Sequence, residues 1–153
     1  MLFNRPYGLG ICLIAILLLS CSRSTNLGTF KGNWKSTPQE ITLRWEPRPW
    51  RYLYYMGEAE LHLQIQEDSV RGQFGQSQLT AVSIIKIKSG SRIRPAELEF
   101  TASVNKLFPN DPIPEKELTF LLRLDKDGRM KSKVWLSNYG SEFKVVDLEL
   151  IQQ

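Results

Sequence analysis

Cysteine and histidine are nearly missing from this chain, with two Cys and one His in 153 residues. A single imidazole excludes metal sites built from several histidines, and any catalytic triad would have only His62 to draw on. Charge of one sign does not accumulate either: 20 Lys+Arg stand against 16 Asp+Glu, for a net charge of +4. That mild excess, without a block of like charges, gives little reason to expect nucleic acid as a partner. Beyond residue 30 no segment of helical length keeps a 3.6-residue apolar period, which argues against a helical core. Disorder is excluded as well, since 42% hydrophobic and 10% aromatic residues suffice for a packed interior. The length implies one domain.

What is present begins with an address. Met1 to Gly8 carries one charged side chain, Arg5, and Leu9 to Leu19 is then uncharged and almost wholly apolar. Eleven residues of helix cover about 16 Å, roughly half of a hydrocarbon core, which is the length of a signal-peptide core and short for a membrane span. The run ends in Leu18-Leu19-Ser20-Cys21 and is stopped by Ser22-Arg23-Ser24-Thr25-Asn26. This resembles the lipobox of bacterial lipoproteins. The resemblance implies a diacylglycerol on the Cys21 thiol, cleavage after Ser20, and acylation of the new amine. It also implies that Ser22, in the second mature position, directs the protein to the outer membrane of a Gram-negative cell. Residues 1–20 are then the leader, 21–29 a lipidated cysteine with its polar tether, and 30–153 the domain. Cys12 leaves with the leader and Cys21 is consumed by lipid, so no disulfide is available to the domain.

From residue 30 onward the dominant signal is alternation with period two. Ala59, Leu61, Leu63 and Ile65 share one face of Glu58–Gln66, with Glu58, Glu60, His62, Gln64 and Gln66 on the other. Leu98, Phe100, Ala102 and Val104 repeat the pattern, as do Leu118, Phe120, Leu122 and Leu124. Turn residues separate the runs at Glu67-Asp68-Ser69, Lys88-Ser89-Gly90-Ser91, Asp125-Lys126-Asp127-Gly128 and Asn138-Tyr139-Gly140-Ser141. One loop is long, Asn105 to Glu115, and holds Pro109, Pro112 and Pro114. The expectation is all-β: an antiparallel meander of about eight to nine strands closing into a small barrel, which removes exposed edges, with a β-sandwich as the alternative. Gly32-Asn33-Trp34 at the start of the first strand is similar to the opening G-x-W of lipocalins and related calycins. That resemblance implies a Trp34 that closes the barrel base beneath a late basic side chain, for which Arg129, Lys131 and Lys133 are candidates. The T-D-Y motif and C-terminal helix of that family are missing.

No cofactor, metal or catalytic residue is expected. His62 lies on a polar strand face, and Asp125–Gly128 lacks the further acids of a calcium loop and reads as a turn. The unusual segment is Trp45–Met56, where Trp45, Trp50, Tyr52, Tyr54 and Tyr55 occur with Arg48, Arg51, Pro47 and Pro49. Prolines make Pro47–Pro49 a loop or an edge. Aromatic rings with Arg are the composition of interface anchors, so Trp45, Arg48, Trp50, Arg51, Tyr52 and Tyr54 are the candidate binding residues. They also suit the interior wall of a barrel. Basic residues bunch at Lys86 and Lys88, at Arg92 and Arg94, and at Arg129, Lys131 and Lys133, where an anionic envelope component would be the natural counter-charge.

Two functions fit these residues: a lipid-anchored, non-enzymatic envelope protein holding a small apolar or amphiphilic ligand in its barrel, or an accessory lipoprotein of an envelope or secretion assembly using the aromatic-Arg segment for protein contact. Both place the protein at the membrane through Cys21, and neither involves nucleic acid. Replacing Cys21 with Ala is expected to release the domain from the membrane pellet or to leave uncleaved precursor, read by fractionation. Wild-type protein that is soluble and carries no acyl mass on its N-terminal peptide contradicts the anchor.

Overall fold

Each long alternating run becomes a strand whose apolar row turns inward. The computed structural model describes residues 26–49, 51–136 and 146–153, apart from the side chains of 45–47. Cys21 and the Asn138–Ser141 turn lie outside these residues. After a short 3₁₀ turn, Gly28–Phe30, the strands are β1 (Gly32–Ser36), β2 (Gln39–Arg48), β3 (Arg51–Ala59), β4 (Leu61–Ile65), β5 (Val70–Phe74), β6 (Ser77–Gln78) and β7 (Thr80–Lys88). They continue with β8 (Ala96–Val104), β9 (Lys116–Leu124), β10 (Met130–Leu136) and β11 (Val146–Gln152).

Nine strands form one antiparallel sheet in the order β6-β5-β4-β1-β11-β10-β9-β8-β7, and it nearly closes into a barrel with one unsealed seam. The other two, β2 and β3, pair only with each other, as a long hairpin inserted between β1 and β4. β1 lies between β4 and the last strand, β11, as closure of a meander requires, so the plan is the expected near-closed meander interrupted only by this hairpin. The alternation over Glu58–Gln66 is also divided between two elements. At Glu60 the chain passes from the hairpin to the barrel, and Leu61 N–H donates to Ser36 Oγ at 2.9 Å at that corner. Ala59, Leu61, Leu63 and Ile65 all still face the core.

At the seam, β6 and β7 are almost one strand. Its start pairs with β5 and Leu79 N–H donates to the Gly72 carbonyl, after which it pairs with β8 alone. The departure is marked by a register shift between Thr80 and Ser83, and within it Ala81 takes φ +48°. A non-glycine residue there is strained by about 1–2 kcal/mol. Lys86, Lys88 and a second register shift blunt the open edge.

The interior is aromatic. Phe30, Phe74, Phe100, Phe108 and Phe120 are fully buried. Phe100 and Phe120, opposite each other in register, stack at 4.8 Å, and Phe74 meets Phe120 edge-on at 6.0 Å. Leu27 is also fully buried, so the core begins before Phe30.

The pairing registers give the barrel two ends. At one end lie the 28–30 turn, the 66–69 turn, the 89–95 loop and the 125–129 turn; at the other lie the root of the β2–β3 hairpin, the 75–76 turn and the 105–115 loop. The 105–115 loop is held by a buried ion pair. Lys116 Nζ lies 2.7 Å from Asp111 Oδ2, with both side chains almost wholly withdrawn from solvent. The ammonium also donates to the carbonyls of Asn105 and Ile113 at 2.6 Å each, so its three protons have three acceptors. The Asp111 carboxylate accepts from Leu107 N–H and Ile113 N–H. Burial pushes the Lys116 ammonium below its ordinary range, and the Asp111 carboxylate opposes that shift.

Removing one partner from such a pair strands a buried charge and typically costs about 3–5 kcal/mol. Lys116→Met and Asp111→Ala are each expected to cost about that much in urea unfolding, and the double variant clearly less than their sum. Losses below about 1 kcal/mol for both singles would mean the loop is held by something else.

A second measurement follows from the outer face. Glu97 accepts from Lys88 Nζ at 2.8 Å and Arg123 Nε at 3.1 Å. Lys88 first, and then Arg123, hold its carboxyl below the usual carboxylate range against a partial desolvation. A depressed carboxyl stabilises the fold above its unfolded value near 4.5, and this contribution disappears as pH falls through the lower folded value. Denaturation midpoints followed from pH 7 to pH 3 should therefore fall less steeply in Glu97→Gln than in wild type. Parallel acid limbs would contradict the assignment.

Candidate functional site

The β2–β3 hairpin owes its shape to two kinds of residue. β-branched and aromatic side chains favour the paired strands. Two prolines mark where pairing is interrupted: Pro47 falls in a register shift between Trp45 and Arg48, and Pro49 in the turn. The expected loop or edge at Pro47–Pro49 is thus a bulge and turn at the tip of a two-stranded hairpin.

One face of the hairpin belongs to the barrel. Ile41, Leu43 and Ala59 are buried in the core, and Tyr55 packs partly against it. Gly57 sits over Phe108, and a Cβ at this position would overlap that ring. The other face looks to solvent. It carries Glu40, Thr42 and Arg44 on β2, opposite Tyr52, Tyr54, Met56 and Glu58 on β3. Tyr54 is 64% exposed and Met56 59%, which is more than a folded domain usually leaves to adjacent large apolar residues. The Arg44 guanidinium lies 3.8 Å from the centre of the Tyr52 ring, a cation–π contact that fixes the ring's orientation.

Charge on this hairpin is arranged against its own stability. Arg48 is directly opposite Arg51 at the tip, and Glu40 is directly opposite Glu58 near the root. All four side chains are exposed, and among the described residues none has a salt-bridge partner. Like charges in directly opposed positions destabilise a strand pair. The hairpin is therefore an aromatic and methionine stripe with unmet positive charge at one end and unmet negative charge at the other.

The candidate residues can now be placed. Arg48, Arg51, Tyr52 and Tyr54 come together on this hairpin and are exposed. The Trp45 backbone pairs with Leu53, while its side chain and all of Trp50 lie outside the described residues. The reading of the alternating aromatics as an interior wall does not hold for Tyr52 and Tyr54, which face away from the core. Met56, Glu40 and Glu58 complete the surface, and sequence reasoning missed them. The signal for Met56 was its two-residue spacing from Tyr52 and Tyr54. The acidic pair becomes visible only with the hairpin register.

Trp34 is buried beside Gly32 near one end of the core, without the expected basic partner. Gly32 takes φ +148°, which favours glycine, and Trp34 is buried with its indole N–H donated to the Phe30 carbonyl at 2.8 Å. Arg129, Lys131 and Lys133 do not cover it. On β10 the residues facing inward are Met130, Ser132 and Val134, which puts Lys131 and Lys133 outside. Arg129 pairs with Asp127 and Lys133 with Asp147.

Of the other bunched basic residues, Lys88 is neutralised in the same way. Lys88 and Arg123 bracket Glu97, and Lys35 and His62 bracket Glu60 at 3.0 and 2.9 Å. His62 foremost, then Lys35, lowers the Glu60 carboxyl. His62 is thus part of an outer ion-pair strip, and no group of three or more His, Cys, Asp and Glu residues suited to a metal occurs among the described residues. A transmembrane barrel needs an apolar outer band, and this outer face is laddered with charge. No helix among the described residues is long and apolar enough to cross a membrane. Among the described residues, clefts of about 360 to 400 Å³ lie on the outside, lined largely by polar and charged side chains. Comparison of the chain with known protein families, with curated proteins and with solved structures finds no match.

Proposed function

We propose that this chain is a lipid-anchored, non-enzymatic lipoprotein of the cell envelope whose β2–β3 hairpin is a contact surface for another protein of an envelope assembly. The observation that carries the reading is the exposed Tyr52-Tyr54-Met56 stripe, flanked by the like-charge pairs Arg48/Arg51 and Glu40/Glu58. A partner strand or helix that lays an apolar row on the stripe, with a carboxylate toward the tip and a cation toward the root, would relieve both repulsions. Aromatic rings beside Arg are the usual anchors of such contacts. The anchor part of the proposal rests on Leu18-Leu19-Ser20-Cys21.

Carriage of a small apolar ligand inside the barrel has less support. Such a carrier needs an apolar cavity of about 300 Å³ or more. The middle of this barrel holds the Phe74, Phe100 and Phe120 rings in mutual contact.

The test separates folding from contact. Tyr54→Ala and the charge reversal Arg48→Glu/Arg51→Glu should leave the urea midpoint within about 0.5 kcal/mol of wild type, because all three side chains are exposed. A photo-crosslinker at Met56 should capture a discrete adduct in cells, and each variant should cut its yield tenfold or more, as expected when about 2 kcal/mol of hot-spot binding is lost. A crosslinker at Glu149, on the outer face of β11, serves as the control. Equal adducts at both positions, or adducts indifferent to the variants, would reject the hairpin as the functional surface.

A further inference from the structure

The end of the barrel opposite the hairpin carries a second feature. Between β7 and β8, the 89–95 loop presents Arg92-Ile93-Arg94, with Ile93 87% exposed. The loop is folded rather than loose: Ser91 N–H donates to the Arg94 carbonyl at 2.9 Å, and Arg94 N–H to Ser91 Oγ at 3.2 Å. Lys126 lies across a cleft of about 360 Å³ from it, on the neighbouring turn. A single exposed isoleucine is ordinary on any surface. Two arginines beside it, with no salt-bridge partner among the described residues, give it a direction.

The acids on this end are Glu67, Asp68, Asp125 and Asp127. Glu67 pairs with Lys31 at 3.2 Å and Asp127 with Arg129 at 3.2 Å. Asp68 and Asp125 then stand against Arg92, Arg94 and Lys126, a modest positive excess concentrated on the loop.

The N-terminal chain leaves from the same end. Leu27 is buried there, its N–H bonded to the Glu67 carbonyl at 3.0 Å. From Cys21 to Asn26 the chain can reach at most about 18 Å, close to the width of the barrel itself. If Cys21 is in the outer layer of a bilayer, this end cannot stand far from the surface. The opposite end, with the hairpin, then points away from it.

We infer that the 89–95 loop docks on the membrane that holds the anchor, with Ile93 entering the headgroup boundary and Arg92 and Arg94 meeting anionic phospholipid phosphates. This rests on the lipoprotein reading above. A lone acyl chain holds a protein only reversibly, and a basic patch is a recognised second signal. Here the loop's role is orientation: it fixes which end of a tethered barrel faces lipid.

The test uses the full chain, expressed, processed and reconstituted into vesicles. An environment-sensitive probe is attached through Ile93→Cys, and in a second protein through Tyr54→Cys at the far end. In vesicles of phosphatidylglycerol and phosphatidylcholine, a lipid-borne quencher should reach the probe at 93 and not the probe at 54. Adding Arg92→Gln/Arg94→Gln, or using phosphatidylcholine alone, should lower the embedded-to-free ratio at 93 by about 25-fold, since each basic residue near an anionic surface contributes roughly a fivefold partition. High salt should have the same effect. Acylated protein that floats with the vesicles while the probe at 93 stays unquenched overturns the docking and leaves the anchor standing. Protein without acyl mass whose probe at 93 is still quenched on anionic vesicles supports the docking and overturns the anchor. Protein that neither carries acyl mass nor floats overturns both.

Discussion

The Lys116–Asp111 pair is the constraint on which the hairpin end of this molecule depends. Its partners are spread along the loop: Asn105, Leu107 and Ile113 all bond to one of the two charged groups. The pair thereby converts an eleven-residue loop with three prolines into a fixed lid, and the lid supplies Leu107 and Phe108 to the core. Phe108 is the surface against which Gly57 rests, so the lid held by the ion pair also packs against the hairpin. The same lid reaches across to the seam end of the sheet, where Gln76 N–H donates to the Leu107 carbonyl and Lys106 N–H to Ser77 Oγ. A buried ion pair is weak support for net stability compared with an apolar replacement of equal volume. What it supplies here is position, because each of its hydrogen bonds has only one geometry that satisfies it.

With the lid fixed, the barrel separates its two ends. The chain leaves toward Cys21 from one, and the aromatic hairpin projects from the other. Between them the outer face carries charged clusters, Lys88–Glu97–Arg123 and Lys35–Glu60–His62 among them, with Ile85 and Ile151 exposed on the same wall. The stacked Phe100 and Phe120 hold the middle.

Alternation made much of this legible. The inward rows of β4, β8 and β9 could be read from Leu61, Leu98 and Leu118 onward because a strand with one dry face has only one way to satisfy its side chains. The Asp125–Gly128 turn was legible for a similar local reason: Gly128 takes φ +79°, where glycine is favoured. The boundary at Glu60 was not, since Ala59 and Leu61 keep the same phase on either side of a change of sheet. Nor was the insertion of the separate β2–β3 hairpin between β1 and β4, which leaves no local mark in the alternation. The ion pair did leave one. Lys116 stands in phase with Leu118, Phe120 and Leu122, so a charged residue occupies the first inward position of β9, and such a residue requires a partner. The candidate surface was half legible: composition pointed to Arg48, Arg51, Tyr52 and Tyr54, but the charge opposition exists only in the register.

That opposition bears on how the hairpin can work. A two-stranded hairpin is marginal alone. This one is supported on its inner face, where Ile41 and Leu43 are fully buried, and not on its outer face, where Tyr54 and Met56 leave most of their area in water. Stability therefore resides in one row of side chains and exposed apolar surface in the other, on alternate residues of the same strands. Substitutions on the outer row are free to vary without endangering the fold, whereas the inner row has no such freedom. The repulsion at Glu40/Glu58 falls on the outer row, whereas Arg48/Arg51, in phase with Leu53 and Tyr55, lies at the exposed tip beyond the buried part of the inner row. A hairpin with better internal pairing at those four positions would be more stable, and it is the buried Ile41 and Leu43 that tolerate both oppositions.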